Sequence, residues 1–175
     1  MRNLPNILTI ARIAVLPVIA FALYAEMYWM ALGFYIAAAL TDFLDGWLAR
    51  KLNVISGFGT FLDPIADKIA VAVLLVVLVD IHVLTGWWTA LVLLIFLREF
   101  LISGLREYLG PKNVQMPVTK LAKWKTTTQL LATGFLIIAP AMPAPFMLGH
   151  HLLLLATALT LITGWTYMKA GFKHL

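Results

Sequence analysis

The sequence predicts an all-α, polytopic membrane protein with six transmembrane helices and both termini in the cytoplasm. Three observations carry that expectation. Of 175 residues, 62% are hydrophobic and only 12% charged, whereas an average soluble domain is roughly half apolar and a quarter charged. The apolar residues come in long runs. A hydrocarbon core about 30 Å thick takes roughly 20 residues per helix, so six helices consume about 120 residues and leave only short connections. Finally, the cations are distributed on one side.

The runs lie near 5–25, 28–50, 60–80, 86–108, 121–140 and 148–169, within a single membrane domain, 1–175. Pro5 suits the first turn of the first helix. Arg12 sits inside that run and a second span follows at once, so a retained helix is expected rather than a cleaved signal peptide. Tyr24-Ala25-Glu26 separates the first two helices. Asn53, Ser56, Gly57 and Gly59 mark the second connection, and Asp80 to Gly86 the third. Gly110-Pro111 opens the fourth, and Pro140, Pro143, Pro145 and Gly149 form the fifth.

In a six-span arrangement all 13 Lys and Arg fall on one side. Arg2 and Arg12 lie near the start, and Arg50, Lys51 and Lys68 flank the second connection. Arg98, Arg106, Lys112, Lys120, Lys123 and Lys125 flank the fourth, and Lys169 and Lys173 end the chain. Glu26, Asp80, His82, His150 and His151 fall on the other side. The positive-inside rule places the cationic side in the cytoplasm. The net charge of +5 therefore speaks of topology and anionic headgroups. Nucleic acid is not expected as a partner, because no soluble basic segment is present. With Cys 0, a disulfide scaffold is excluded.

Four of the 8 acidic residues, Asp42, Asp45, Asp63 and Asp67, crowd into DFLDGWLARKLNVISGFGTFLDPIAD. A carboxylate near the middle of a transmembrane helix costs about 2.5–3.5 kcal/mol on insertion scales, so such a cluster needs a neutralising partner. Asp42, Asp45, Gly46 and Ala49 share one helix face, as do Gly59, Asp63 and Asp67. Facing each other, the two stripes would set four carboxylates beside a floor of small residues. Oxygen-only ligands suit hard cations such as Mg²⁺, Mn²⁺ or Ca²⁺. The floor admits a bulky ligand, and Arg50 and Lys68 at the rim could meet phosphate. A plainer account makes Asp63 an N-cap before a first-turn Pro64 and pairs Asp42 and Asp45 with Arg50 or another Arg.

Asp42-x-x-Asp45-Gly46-x-x-Ala49-Arg50, then eight residues, then Gly59-x-x-x-Asp63-x-x-x-Asp67, resembles the complete signature of the CDP-alcohol phosphotransferases. The resemblance implies six transmembrane helices and a homodimer. It also implies two divalent cations, Mg²⁺ or Mn²⁺, on the four aspartates, with Asp67 as general base. The implied reaction moves a phosphate-linked group from a CDP-alcohol to an acceptor hydroxyl and releases CMP. The chemistry is consistent with the cluster, since clustered cations can clamp donor and leaving oxygens while one carboxylate takes the acceptor proton.

Two further segments bear on the substrates. NILTIAR, with Asn6, Thr9 and Arg12, resembles the opening segment of bacterial members that use CDP-diacylglycerol. There the Asn and Thr help hold the nucleotide and the Arg lies near phosphate. Taken alone, the same residues read as a helix start, a backbone-bonded hydroxyl and a snorkelling cation. In REFLISGLRE, Glu99, Ser103 and Arg106 form one stripe with Arg98 on the adjoining face, and Glu99 could orient Arg106. Lys125, Thr128 and Gln129 share a face of the next helix. Arg98, Arg106 and Lys125 together suit a second anion, although cations here also serve headgroups. This pair of segments resembles members whose acceptor is glycerol 3-phosphate.

The resemblance thus implies transfer of a phosphatidyl group from CDP-diacylglycerol to glycerol 3-phosphate, at the cytoplasmic face of a bacterial inner membrane. Inositol phosphate, serine or phosphatidylglycerol are alternative acceptors. A divalent-cation transporter is the rival from another class. The remaining polar and small residues have ordinary expectations. Tyr28, Trp29, Trp87 and Trp88 belong to an outer aromatic belt, and Trp47 and Trp124 to an inner one. His82, His150 and His151 are expected in outer connections, and Gly33, Gly104, Gly134 and Gly164 at helix contacts.

Overall fold

A computed structural model describes the backbone of residues 4–52, 57–112 and 120–172; within these, the side chains of 4–8, 43–52, 57–61, 63–64, 111 and 120 are not described. The described chain is helical throughout: α1 Leu4–Tyr24, α2 Tyr28–Leu52, α3 Gly57–Asp80, α4 Trp87–Leu109, α5 Lys120–Ile138 and α6 Pro143–Gly171, with short 3-10 turns at Gly110–Lys112 and Ala139–Ala141. It divides into two compact units, Met1–Val83 with Ile137–Met142, and Leu84–Leu136 with Pro143–Leu175.

In the first unit α1 packs against both α2 and α3. Leu16, Ile19 and Leu23 recur at helical spacing on α1 and bury against Ala31 of α2 and Leu74 and Val77 of α3. Two of the helices end in the same way. Glu26 (φ 58°) and His82 (φ 62°) are left-handed. The amide of Met27 donates to the Ala22 carbonyl at 2.8 Å and that of Glu26 to Leu23 at 3.1 Å. The amide of Val83 likewise donates to Leu78 at 3.0 Å and that of His82 to Val79 at 3.1 Å. Both are Schellman closures, which recover carbonyls that a helix end would otherwise leave without donors. Val83 and Leu78, the two positions where a hydrophobic contact accompanies the motif, are both buried. Between the same helix ends, the Tyr24 hydroxyl donates to Asp80 at 2.8 Å.

In the second unit α4 packs against α6. Gly86 precedes α4 at φ 58°, ψ −122°, a conformation that glycine takes without a Cβ clash. The buried stripe of α4 is Leu91, Val92, Ile95, Arg98, Ile102 and Leu109. On α6 it includes Thr157, Thr160, Thr163, Gly164 and Tyr167. Meanwhile Leu97, Phe100, Leu154, Leu155, Ile162 and Trp165 are exposed. Polar groups inside and large apolar groups outside invert the arrangement of a water-soluble domain and suit lipid. Among the described residues, α4 and α6 are long and apolar enough to cross a membrane, and 9–24 is a shorter apolar helix. The charged positions in α2, α3 and α5 reduce those helices' apolar character.

Several expectations change. Helix α6 begins at Pro143 instead of near 148, because prolines in a first turn lack only amides that would be orphaned there. Gly149 therefore lies within the helix, where a Cβ would come 2.9 Å from Leu136 Cγ. Among the described residues a Cβ at Gly33 or Gly104 would meet nothing within 4 Å, so within its own unit neither is a close helix contact. His150 is not a loop residue. It is buried in α6, edge-on to Trp88 with ring centroids 4.5 Å apart, and its Nδ1 bonds the Phe146 carbonyl at 2.7 Å. His151 is also helical. The expected turn residues Asn53 and Ser56 lie outside the described residues.

Glycine removes the left-handed steric penalty at a Schellman C′ position. His82→Gly relieves about 1–2 kcal/mol of left-handed strain against roughly 0.5–1 kcal/mol of added backbone entropy, so a net gain of about 0.5–1 kcal/mol is expected, read as a higher thermal midpoint in detergent.

Candidate functional site

The first unit gathers charge around Arg12. Its guanidinium pairs with Asp42 of α2 and, through Nη1 at 3.0 Å, with Asp67 of α3. Helix spacing accounts for the approach: α1 packs against both partners, and Thr9, one turn before Arg12, is buried on the same side. The Arg12 side chain is only 7% exposed, whereas those of Asp42 and Asp67 are 51% and 62% exposed. The guanidinium thus lies beneath two carboxylates that open outward. Its Nε is buried and has no hydrogen-bond partner among the described residues.

One guanidinium against two carboxylates leaves an excess of negative charge, and the donors available to a cation are oxygens alone. That is the chemistry a hard divalent ion requires, and the two carboxylates already converge on one cationic group. Asp45, Gly46, Ala49 and Arg50 fall on α2, Gly59 and Asp63 on α3, and Asn6 on α1; their side chains lie outside the described residues. Among the described residues no three carboxylate or imidazole groups form a metal-holding set. Because α3 starts at Gly57, Asp63 is well inside the helix and is not its N-cap. Lys68 follows Asp67 on α3 and is half-buried. The arginine that meets the acidic motif comes from the opening segment, a pairing that the motif's own spacing does not reveal.

The second unit gathers charge of the opposite sign. Lys125 of α5 and Arg98 of α4 both reach Glu99 Oε1, the latter at 3.2 Å. Arg98 Nη2 also donates to Thr163 Oγ1 on α6 at 3.1 Å. Arg98, Lys125, Thr128 and Gln129 are buried. Among the described residues Glu99 pairs with Arg98 and Lys125 and not with Arg106, the partner that the sequence suggested. The Arg106 guanidinium lies 6.0 Å from the Tyr167 ring centroid, and that of Arg98 lies 5.8 Å from the same centroid. Two cations on one carboxylate leave positive charge for an anion, and guanidinium with ammonium suits phosphate.

Sequence reasoning did not single out Thr163 and Tyr167, and took Gly164 only as a packing position. The signal was present in TALTLITGWTY, where Thr160, Thr163, Gly164 and Tyr167 fall on one face.

The CDP-alcohol phosphatidyltransferase family model matches residues 2–164. A Rickettsia bellii protein named CDP-diacylglycerol–glycerol-3-phosphate 3-phosphatidyltransferase is 42% identical, over 98% of this chain and 97% of its own. A Bacillus subtilis protein of the same name is 33% identical over 100% and 98%. A protein of Oryza sativa subsp. japonica named cardiolipin synthase (CMP-forming) is 37% identical over 99% of this chain and 58% of its own.

If Glu99 couples the two cations, their effects are not independent. In a double-mutant cycle, Glu99→Gln and Lys125→Met are expected to show a coupling of about 1 kcal/mol or more in stability. Additive losses in thermal unfolding would show that the pair contributes nothing.

Proposed function

The chain belongs to the CDP-alcohol phosphatidyltransferase family, and from that premise we propose that it transfers a phosphatidyl group from CDP-diacylglycerol to glycerol 3-phosphate. The products are phosphatidylglycerophosphate and CMP. The observation that carries this reading is likeness over nearly the whole chain to relatives named for that reaction. The complete aspartate signature and the buried cations of the second unit support it.

In this reading an acceptor hydroxyl oxygen attacks the phosphorus that bears the diacylglycerol. The bond from that phosphorus to the oxygen bridging the two phosphates breaks, and CMP leaves with the electron pair. Asp67 takes the hydroxyl proton as the new bond forms. Asp42, Asp45, Asp63 and Asp67 would hold two divalent cations, Mg²⁺ or Mn²⁺, in keeping with the oxygen-only donor set around Asp42 and Asp67. Bound there, such ions supply charge stabilisation for the diphosphate. Asn6, Thr9, Arg12, Asp42, Arg50 and Lys68, with the small residues Gly46, Ala49 and Gly59, are assigned to CDP-diacylglycerol. Arg98, Arg106 and Lys125 are assigned to the acceptor phosphate.

The same reading makes 1–175 one domain of six membrane spans, acting as a homodimer in a bacterial inner membrane. Both termini and the active site face the cytoplasm. The one-sided placement of Lys and Arg supports that topology. The alternative reading, with phosphatidylglycerol as the acceptor in place of glycerol 3-phosphate, draws on the likeness to the cardiolipin synthase.

Purified protein with CDP-diacylglycerol and Mg²⁺ is expected to release CMP with glycerol 3-phosphate and not with inositol 1-phosphate, serine, phosphatidylglycerol or no acceptor. EDTA is expected to stop it. Release with phosphatidylglycerol alone would transfer the assignment to the cardiolipin-forming reaction. Asp67→Asn is expected to lower kcat by at least about 100-fold, the scale of lost general-base catalysis; near-normal turnover would remove the base role. Arg106→Ala is expected to raise KM for glycerol 3-phosphate more than for CDP-diacylglycerol, which steady-state kinetics in both substrates would measure.

A further inference from the structure

Arg98 is held from α6 in a way that the assignment of Arg98 to the acceptor phosphate does not by itself require. Its guanidinium donates to Thr163 Oγ1 at 3.1 Å. That hydroxyl lies 2.7 Å from the Leu159 carbonyl and 3.1 Å from that of Thr160. It therefore spends its one proton on the helix and offers a lone pair to Arg98. The next residue, Gly164, lies directly under the Arg98 side chain. A Cβ there would come 2.8 Å from Arg98 Cγ and 3.3 Å from Nε. Cγ is near the root of the side chain, and the far end is tethered to Thr163 and Glu99. The side chain thus has little freedom to move aside.

One turn further on, Tyr167 is buried and lies within cation–π range of both Arg98 and Arg106. Arg98 Nε and Thr160 Oγ1 are buried and have no hydrogen-bond partner among the described residues. A guanidinium so fixed on two sides holds its three remaining N–H donors in one orientation.

We propose that Thr163 and Gly164 of α6 are positioning residues that set the selectivity for a phosphate-bearing acceptor by fixing the guanidinium of Arg98. Neither residue needs to touch the acceptor. Gly164 provides the notch that lets Arg98 lie flat on α6, and Thr163 fixes its rotamer, so that a phosphomonoester meets a donor whose conformational freedom is already spent. The inference rests on the reading that Arg98 faces the acceptor phosphate.

The test is steady-state CMP release by the purified protein in detergent with CDP-diacylglycerol and Mg²⁺, varying glycerol 3-phosphate. Thr163→Val, Thr163→Ser and Gly164→Ala are compared with the parent chain, and thermal midpoints are taken alongside. Thr163→Val and Gly164→Ala are expected to raise KM for glycerol 3-phosphate about ten-fold, the size expected when a charge-assisted hydrogen bond is lost. KM for CDP-diacylglycerol is expected to be unchanged, and Thr163→Ser is expected to restore parental values. Unchanged KM for glycerol 3-phosphate in Thr163→Val overturns the proposal, as does an equal rise in both KM values or a failure of serine to rescue. If Gly164→Ala does not fold, the valine–serine pair decides alone. A parent chain that releases CMP only with another acceptor overturns the underlying reading as well, and is distinguished by the parent's own acceptor profile.

Discussion

Arg12 and Arg98 bring permanent positive charge into the interior of apolar helices, where water is not at hand to solvate it. A guanidinium cannot shed its proton to escape that cost, so the chain must bring acceptors to it. For Arg12 these are carboxylates from α2 and α3. For Arg98 they are Glu99 of its own helix and Thr163 of α6. In both cases the partners come from different helices, and satisfying the charge draws those helices together. Removing one partner from such a set leaves a buried charge without compensation, which is far more costly than the pair is stabilising.

The two clusters share this logic but differ in sign. Around Arg12 the carboxylates outnumber the cation and lie at the more exposed edge. Around Glu99 the cations outnumber the carboxylate and are buried beside a threonine-lined helix. Each cluster leaves uncompensated charge of one kind, so each favours a ligand of the other kind. Polar positions that pack inward oblige the remaining faces of α4 and α6 to be apolar. With Leu97, Phe100 and Trp165 outside and Thr160 and Thr163 inside, the fold suits an apolar surrounding.

Much of this was legible in sequence. The helix boundaries at Tyr24, Asp80 and Trp87 follow from turn residues and apolar length, and the aspartate spacing sets the carboxylates on shared helix faces. The shared face of Lys125, Thr128 and Gln129 was also readable, because helical periodicity is a local property. Contacts between distant segments were not. Nothing local tells Arg12 that it will meet Asp42 and Asp67, or tells Glu99 to choose Lys125 over Arg106. Pro143 and Pro145 misled for a related reason: proline reads as a breaker unless one knows that it stands in a first turn. Gly164 looked like any packing glycine until the side chain crossing it was identified as an arginine.

The bridge from Arg12 to Asp42 and Asp67 also fixes where their counter-charge comes from. Carboxylates on neighbouring helices repel, and a bundle that relied on an external ion to hold them would be left unfinished wherever that ion was scarce. Here the counter-charge is carried in the polypeptide, on α1. Arg12 therefore offsets the repulsion between Asp42 and Asp67 from within the chain, where α1 packs against α2 and α3.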